Sequence, residues 1–313
     1  MLDIAVIIVS WNVRDYLAGC LTSLYADLGR SNLVGEVWVV DNGSTDGTQA
    51  LLTDLYPQAH LLQNQKNVGF GVANNQGMQA ALAQTEGIRY FLLLNPDTLV
   101  RPYALKHLAA CLDARPETGL AGPHLVYGDG RFQHSAFAFP GLAQLTFDLW
   151  PVPGRWYESR LNGRYPRRYF HGRRTPFAVD FVLGAAMMVR RDVAESTGGF
   201  DESFYMYCEE IDWCWRIREA GWSIDTVPQA QIVHFGGEST KQVPANSILN
   251  LWRSRAQLYQ KHHSKPTLWL SSQLAQRGLS RKARRAGDPR LRQAYNESAA
   301  IWRDARRKIA EKK

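Results

Sequence analysis

The sequence predicts an α/β fold: a mostly parallel, Rossmann-like sheet with helices on both faces and a basic helical C-terminal tail. Three observations lead there. Short apolar runs alternate with amphipathic, helix-periodic segments through residues 3–114. Four of those runs stop abruptly at clusters of amides, hydroxyls and carboxylates. Positive charge is gathered at the end of the chain, where 14 of the 37 Lys and Arg but only four of the 29 acids lie in residues 265–313.

The elements follow in order. Residues 3–9 (DIAVIIV) read as a buried strand, and 15–28 as an amphipathic helix. EVWVV (36–40) is a second strand, and 46–56 a helix capped near Ser44 or Asp46. A short strand at 59–63 leads to an Ala-rich helix at 71–84, then a strand at 89–94 and a helix at 102–114. The middle is less regular. Residues 150–176 hold seven arginines, Arg155, Arg160, Arg164, Arg167, Arg168, Arg173 and Arg174, among Pro, Gly and Tyr. They read as a long, mobile loop, either functional or a solvated excursion. Residues 179–190 read as a buried strand pair or a strand and turn, 200–222 as an acidic–aromatic segment turning into a helix, and 230–240 as a strand ending in His234. A helix at 245–263 precedes the tail.

In parallel sheets of this kind ligands sit at the carboxyl ends of the strands. The first strand runs into Ser10-Trp11-Asn12, the second into Asp41-Asn42-Gly43-Ser44, the third toward Asn67-Val68-Gly69 and the fourth into Asn95-Pro96-Asp97. All four clusters therefore fall on one edge of one sheet. One such cluster is ordinary turn chemistry; four on a common edge describe a site.

Composition narrows the class. Hydrophobic residues make up 45% and charged residues 21%, which is globular composition. Cys20, Cys111, Cys208 and Cys214 form no CxxC pair and read as reduced thiols in a reducing compartment. Leu2–Val9 is strand-length, so no signal peptide is read, and no apolar run is long enough to span a bilayer. Without residues 265–313 the chain is close to neutral, so its basic character belongs to the tail. No GxxxxGK[ST] or GxSxG occurs, and Gly69-Phe70-Gly71 lacks the third glycine of a dinucleotide loop.

Two groupings carry chemistry. Asp97 and His234 are suitable ligands for Mg²⁺ or Mn²⁺, although His234 taken alone reads first as a core histidine at a strand end. Glu209, Glu210 and Asp212 crowd a helix start, where the dipole favours negative charge and Asp212 stands i,i+4 from Arg216. Flanked by Tyr207 and Trp213, one of them could instead have a raised pKa and act as a base.

VIIVSWN (6–12), VVDNGSTDGT (39–48), NVGFGVANNQGM (67–78), LLLNPDT (92–98) and FDESFYMYCEEIDWCWR (200–216) occur in the order of a known family. Together they resemble a family 2 inverting glycosyltransferase of GT-A fold, and more narrowly the bacterial rhamnosyltransferases of cell-surface polysaccharide synthesis. The resemblance covers residues 3–263. It implies a nucleotide-binding half at about 1–126, an acceptor and catalytic half at about 127–263, and a basic helical extension over 264–313. It implies that Asp41 contacts the nucleotide base, with Asn42 and Ser44 shaping that pocket. Ser10, Asn12, Asn67, Gly69 and Asn95 fall on the same nucleotide side. Asp97 matches the last carboxylate of the family's DxD motif, with Asn95 in place of the first. Glu210 matches the catalytic Asp of the family's Glu-Asp motif, with Glu209 and Asp212 as alternates. His234 matches a histidine that supports the metal in some members.

The implied reaction moves a sugar from a nucleoside diphosphate to a hydroxyl of a glycan or lipid-linked acceptor, with inversion. The resemblance favours dTDP-rhamnose as donor, with UDP- and GDP-sugars open. The competing classes are a sugar-1-phosphate nucleotidyltransferase, which should carry a Gly-rich loop where Ser10-Trp11-Asn12 stands, and a non-catalytic carbohydrate-binding protein. In the tail, Leu291, Tyr295, Ala299 and Trp302 recur at helical spacing between Arg281, Lys282, Arg284, Arg285 and Arg303, Arg306, Arg307, Lys308. That stripe either packs on the protein's own core or lies on the anionic inner face of the cell membrane, giving a cytoplasmic, peripheral enzyme. Nucleic acid is not expected as a partner, since no recognised binding fold accompanies the charge.

Overall fold

The computed structural model describes residues 2–172, 174–238 and 242–311, so Arg173 lies outside the described residues, as does the side chain of Lys308. The first half forms as expected. Strand β1 (Ile4–Ser10) is followed by α1 (Arg14–Ser31), β2 (Gly35–Asp41), α2 (Thr48–Leu55), β3 (His60–Gln63), α3 (Phe70–Gln84) and β4 (Tyr90–Leu94). Strands β1 and β4 are buried along their whole length. This is why they read as unbroken apolar runs rather than alternating ones. β1 pairs in parallel with both β2 and β4, and β2 with β3.

Beyond β4 come β5 (Thr98–Val100), α4 (Ala104–Ala114), β6 (Thr118–Val126), β7 (Phe132–Gln133), β8 (Ala136–Phe137), α5 (Leu142–Leu149) and α6 (Gly154–Tyr157). Next are β9 (Phe177–Val179), β10 (Phe181–Val182), β11 (Ala186–Arg190), α7 (Arg191–Thr197), α8 (Glu209–Glu219) and β12 (Ser223–His234). Among the described residues the main sheet has ten strands, in the order β3-β2-β1-β4-β11-β6-β12-β5, with β7 on β6 and β9 on β12. β11 enters antiparallel between β4 and β6, so the second half of the sheet is mixed. Strand β12 begins seven residues before the expected start at 230. Its pairing with β6 shifts register between Val227 and Gln231, around Pro228, which has no N–H to give the ladder.

The arginine-rich stretch is corrected from a mobile loop to a packed one. It contains α6 and single helical turns at Arg160–Asn162 and Arg167–Tyr169. Arg160 lies over the Tyr165 ring at 3.7 Å and Arg164 over Tyr157 at 4.2 Å. Phe170 is buried against Phe177.

The chain ends in α9 (Pro244–His262), α10 (Lys265–Arg285) and α11 (Pro289–Glu311). Two large cores lie on the sheet's faces, and a third is built by α5, α9, α10 and α11 from Leu149, Trp252, Tyr259, Leu279, Ala299 and Trp302. Trp302 is fully buried, a burial worth about 3 kcal/mol. Ala299 and Trp302 thus face the protein's own helices, and an anionic surface would meet the tail's charge but not these two side chains. Among the described residues no helix is long and apolar enough to cross a membrane.

Candidate active site

A cavity of about 350 Å³ opens at the carboxyl ends of β1, β2 and β4. Asn42 and Asn67 line one end, Asn95, Asp97 and His234 the middle, and Glu209 and Glu210 the other end. Ser10, Asp41, Ser44 and Gly69 are not among its lining residues, and Asn12 lines an adjoining cleft with Asp46 and Glu238.

The residues expected on the nucleotide side knit three loops together. Asp41 is fully buried and accepts hydrogen bonds from the Ser44 backbone N–H at 3.1 Å and the Gln49 amide at 2.8 Å. Ser44 Oγ accepts from the Asn12 N–H at 2.9 Å, and Asn12 Oδ1 from the Thr45 N–H at 2.8 Å. Asn42 donates to Asn67 Oδ1 and to the Gly69 carbonyl, both at 3.2 Å. Gly69 has φ +98°, and a Cβ there would lie 2.5 Å from the Tyr205 carbonyl. Only glycine allows both that backbone angle and that approach. The Phe70 N–H donates to the same carbonyl at 3.0 Å, tying this loop to the segment that leads into α8.

Asp97 sits just beyond β4 because β5 folds back beneath β12. His234, the last residue of β12, pairs with Thr98, and the Phe235 N–H donates to the Asp97 carbonyl at 3.0 Å. This brings His234 Nε2 to 3.5 Å from Asp97 Oδ1. Asp97 Oδ2 accepts from the Glu238 N–H at 3.3 Å. Burial tends to raise the Asp97 carboxyl, but the imidazole and the backbone donors outweigh it and hold the carboxyl below its ordinary value. His234 Nδ1 lies 3.2 Å from Gln133 Oε1 and can donate to it, so Nε2 is the nitrogen turned toward Asp97. Nε2 and Asn95 Oδ1 are buried without a hydrogen-bond partner. An imidazole nitrogen, an amide oxygen and a carboxylate in one cavity fit a divalent cation that keeps other oxygen ligands. Among the described residues no cluster of three His, Cys, Asp or Glu side chains could hold a metal alone, so such a cation would need a further ligand.

Glu209 and Glu210 begin α8. The two residues before Glu209, Tyr207 (φ +70°) and Cys208 (φ +66°), are in the left-handed region. Each costs about 1 kcal/mol or more. The turn is held by Ser254 Oγ donating to the Met206 carbonyl at 2.7 Å and by the Tyr205 contacts to Gly69 and Phe70. Burial pushes the Glu210 carboxyl up to about 7. Burial, and then the neighbouring Glu210, raise Glu209 well above its ordinary value. Glu209 Oε2 is buried without a partner, as suits a protonated acid beside a titratable one.

Asp212 is elsewhere. It is fully buried and bonded to Arg216 Nε at 2.9 Å, Lys261 Nζ at 2.8 Å and His262 Nε2 at 2.7 Å. It does not line the cavity, and its work is to pin α8 to α9.

Sequence reading overlooked Gly184, and it placed Tyr207 beside the carboxylates but not at the junction of two cavities. Gly184 lies between β10 and β11, and a Cβ on it would be 3.3 Å from Glu210 Cβ. Tyr207 and Glu210 line both this cavity and a second one of about 220 Å³, formed with Leu145, Asp148, Arg255 and Tyr259. The only signal for Gly184 was its place in an otherwise apolar strand pair.

The family description "Glycosyl transferase family 2" matches residues 5–198. The N-acetylglucosaminyl-diphospho-decaprenol L-rhamnosyltransferase of Mycobacterium tuberculosis is 29% identical over 269 residues, covering 80% of this chain and 86% of that protein. GalNAc-T7, solved with UDP, GalNAc and Mn²⁺, superposes with a TM-score of 0.60 at 14% identity over 97% of this chain, which spans 56% of its length. The mannosyltransferase PcManGT of Pyrobaculum calidifontis, solved with GDP-Man and Mn²⁺, gives 0.51 at 17% identity, covering 98% of this chain and 73% of that one.

Proposed function

Because the chain belongs to glycosyl transferase family 2 and has the GT-A fold of its structural neighbours, we propose that it moves rhamnose from dTDP-rhamnose to a lipid-linked acceptor hydroxyl, inverting the anomeric carbon. Family membership makes it a hexosyltransferase, and the nucleotidyltransferase and carbohydrate-binding alternatives fall with that. The sugar and the acceptor class follow the name of the mycobacterial relative.

One observation carries the mechanism. Glu210 stands where two cavities meet, the amide- and Asp97-lined one on one side and the one lined by Leu145, Asp148, Arg255 and Tyr259 on the other. A nucleotide sugar in the first places its diphosphate at Asp97 and His234 and its anomeric carbon toward Glu210. An acceptor in the second brings its hydroxyl to the same carboxylate. The hydroxyl oxygen bonds to the anomeric carbon, its proton passes to Glu210, and the bond to the diphosphate oxygen breaks. With a carboxyl raised to about 7, Glu210 is a far better proton acceptor than an ordinary glutamate at neutral pH. Attack from the side opposite the diphosphate gives inversion. Asp97, His234 and Asn95 are the residues that would hold Mg²⁺ or Mn²⁺. Such a cation would stabilise the charge of the departing diphosphate. Asn42 and Asn67 are placed to fix the nucleoside end, while Asp41, Ser44, Asn12 and Gly69 hold the loops that carry them.

The test is release of dTDP, UDP or GDP from a panel of nucleotide sugars with Mg²⁺ or Mn²⁺. Release from dTDP-rhamnose that is faster with a lipid-linked acceptor and lost in Glu210→Gln supports the reading. Preference for another nucleotide overturns the donor, and full activity in Glu210→Gln overturns the base.

A further inference from the structure

Below the second cavity, α5, α10, α11 and the segment joining α5 to α6 enclose a groove of about 600 Å³. Trp150, Tyr157 and Tyr295 give it an aromatic side, and Arg281, Lys282 and Arg285 a cationic one. Arg281 and Lys282 are half-buried. Among the described residues none of these three cations has an ion-pair partner. The acid in the groove, Asp148, is held by Arg255 at 2.7 Å. Partly burying a cation without a counter-ion sacrifices hydration with nothing in return. Arg281 and Arg285 also stand i,i+4 on α10 and repel. An anion in the groove would relieve both costs.

Asp148 lines both this groove and the cavity that ends at Glu210, so the two adjoin. A molecule with a sugar hydroxyl at Glu210 would extend past Asp148 to the three cations. There a diphosphate matches guanidinium geometry, and an apolar chain beyond it matches the aromatic side. We propose that this groove binds the diphosphate and first isoprenoid units of a prenyl-diphosphate-linked acceptor. The inference rests on the proposed transfer reaction for the identity of the sugar end alone. A concave groove with half-buried cations suits a discrete diphosphate better than a flat anionic bilayer does.

The probe is farnesyl diphosphate, titrated calorimetrically into the full-length chain with excess UDP and dTDP to keep it from the Asp97 cavity. Inorganic pyrophosphate and phosphatidylglycerol vesicles are the other arms. Saturable farnesyl diphosphate binding, tighter than pyrophosphate, is expected. The Arg281→Ala/Lys282→Ala/Arg285→Ala variant should weaken it at least ~10-fold, the scale of a lost charge-assisted contact. Arg285→Glu alone, at an exposed position, should weaken it in the same direction should the triple variant fold poorly. Unchanged farnesyl diphosphate affinity in both variants overturns the proposal. So does a loss of vesicle binding with farnesyl diphosphate binding intact, which would make the groove a membrane contact. Pyrophosphate binding as tightly as farnesyl diphosphate would overturn the lipid part. Nucleotide release from the donor without acceptor should be unchanged in both variants, and its absence in the parent chain would count against the transfer reaction, not the groove.

Discussion

His234 Nε2 faces Asp97 Oδ1 at 3.5 Å, and Gln133 Oε1 lies 3.2 Å from the other ring nitrogen, behind the imidazole. For the cation proposed above, Gln133 would hold the imidazole of His234 in the orientation that ligation needs. Asp97→Ala should abolish metal-dependent binding of nucleoside diphosphate while leaving the melting transition in place. Gln133→Ala should weaken metal affinity ~10-fold or more, the usual cost of losing such a partner. Calorimetry with Mn²⁺ and dTDP reads both. Unchanged metal-dependent affinity in Asp97→Ala would remove Asp97 from the site.

The raised Glu210 carboxyl predicts an acid limb in kcat/KM. Burial shifts the group to about 7, so the fraction able to accept a proton falls as pH drops through that value. The same shift has a stability consequence. A carboxyl whose folded value is raised favours folding when protonated, so stability declines as pH rises from the unfolded value of 4.5 toward about 7. Glu210→Gln should lose the acid limb and flatten this decline. A rate profile level from pH 5 to 8 would show that Glu210 does not titrate in the reaction.

Much of this was legible in the sequence, and the reasons differ by region. β1, β2 and β4 are central parallel strands, and uninterrupted apolar runs such as VIIV and FLLL signal them directly. Asp97 and Glu210 fall in one cavity as their motifs suggested. Asp212 did not separate from Glu210 by sequence, because spacing along a helix says nothing of Lys261 and His262, which arrive from α9. β5, β7 and β8 are two or three residues long and hold their shape through pairing partners far along the chain. The tail's apolar stripe was visible, but only the packed structure shows that Trp302 meets Tyr259 within a helical core rather than pointing outward.

Gly184 gives a sharper test of geometry. A Cβ there meets Glu210 Cβ at 3.3 Å and Cγ at 3.4 Å, so alanine asks the carboxylate to give by a few tenths of an ångström and valine asks for more. Gly184→Val should cut transfer at least ~10²-fold by moving the base off line, with Gly184→Ala intermediate. Donor binding should persist in both, since Asn42 and Asn67 lie at the cavity's other end. Acceptor-dependent turnover against dTDP affinity separates the two effects, and equal turnover in all three proteins would show that Glu210 has slack.

The last prediction divides two acids that lie two residues apart on α8. Glu210→Gln should leave the melting temperature at least as high as in the parent, since it removes a buried group that resists ionisation, and should slow transfer at least ~10²-fold. Asp212→Asn should do the reverse. Burial raises the Asp212 carboxyl, but His262, Lys261 and Arg216 outweigh it and hold it below its ordinary value. A lowered folded value contributes stability above the unfolded value of 3.8, lost as pH falls through the folded one. Removing that charge leaves three donors around a neutral amide and should cost about 3 kcal/mol. Transfer per folded molecule should then fall only as far as α8 loosens from α9. Urea denaturation at pH 7 and pH 3, run beside acceptor-dependent turnover, measures both. An Asp212→Asn protein of full stability that cannot transfer sugar would make Asp212 the base and leave Glu210 a spectator.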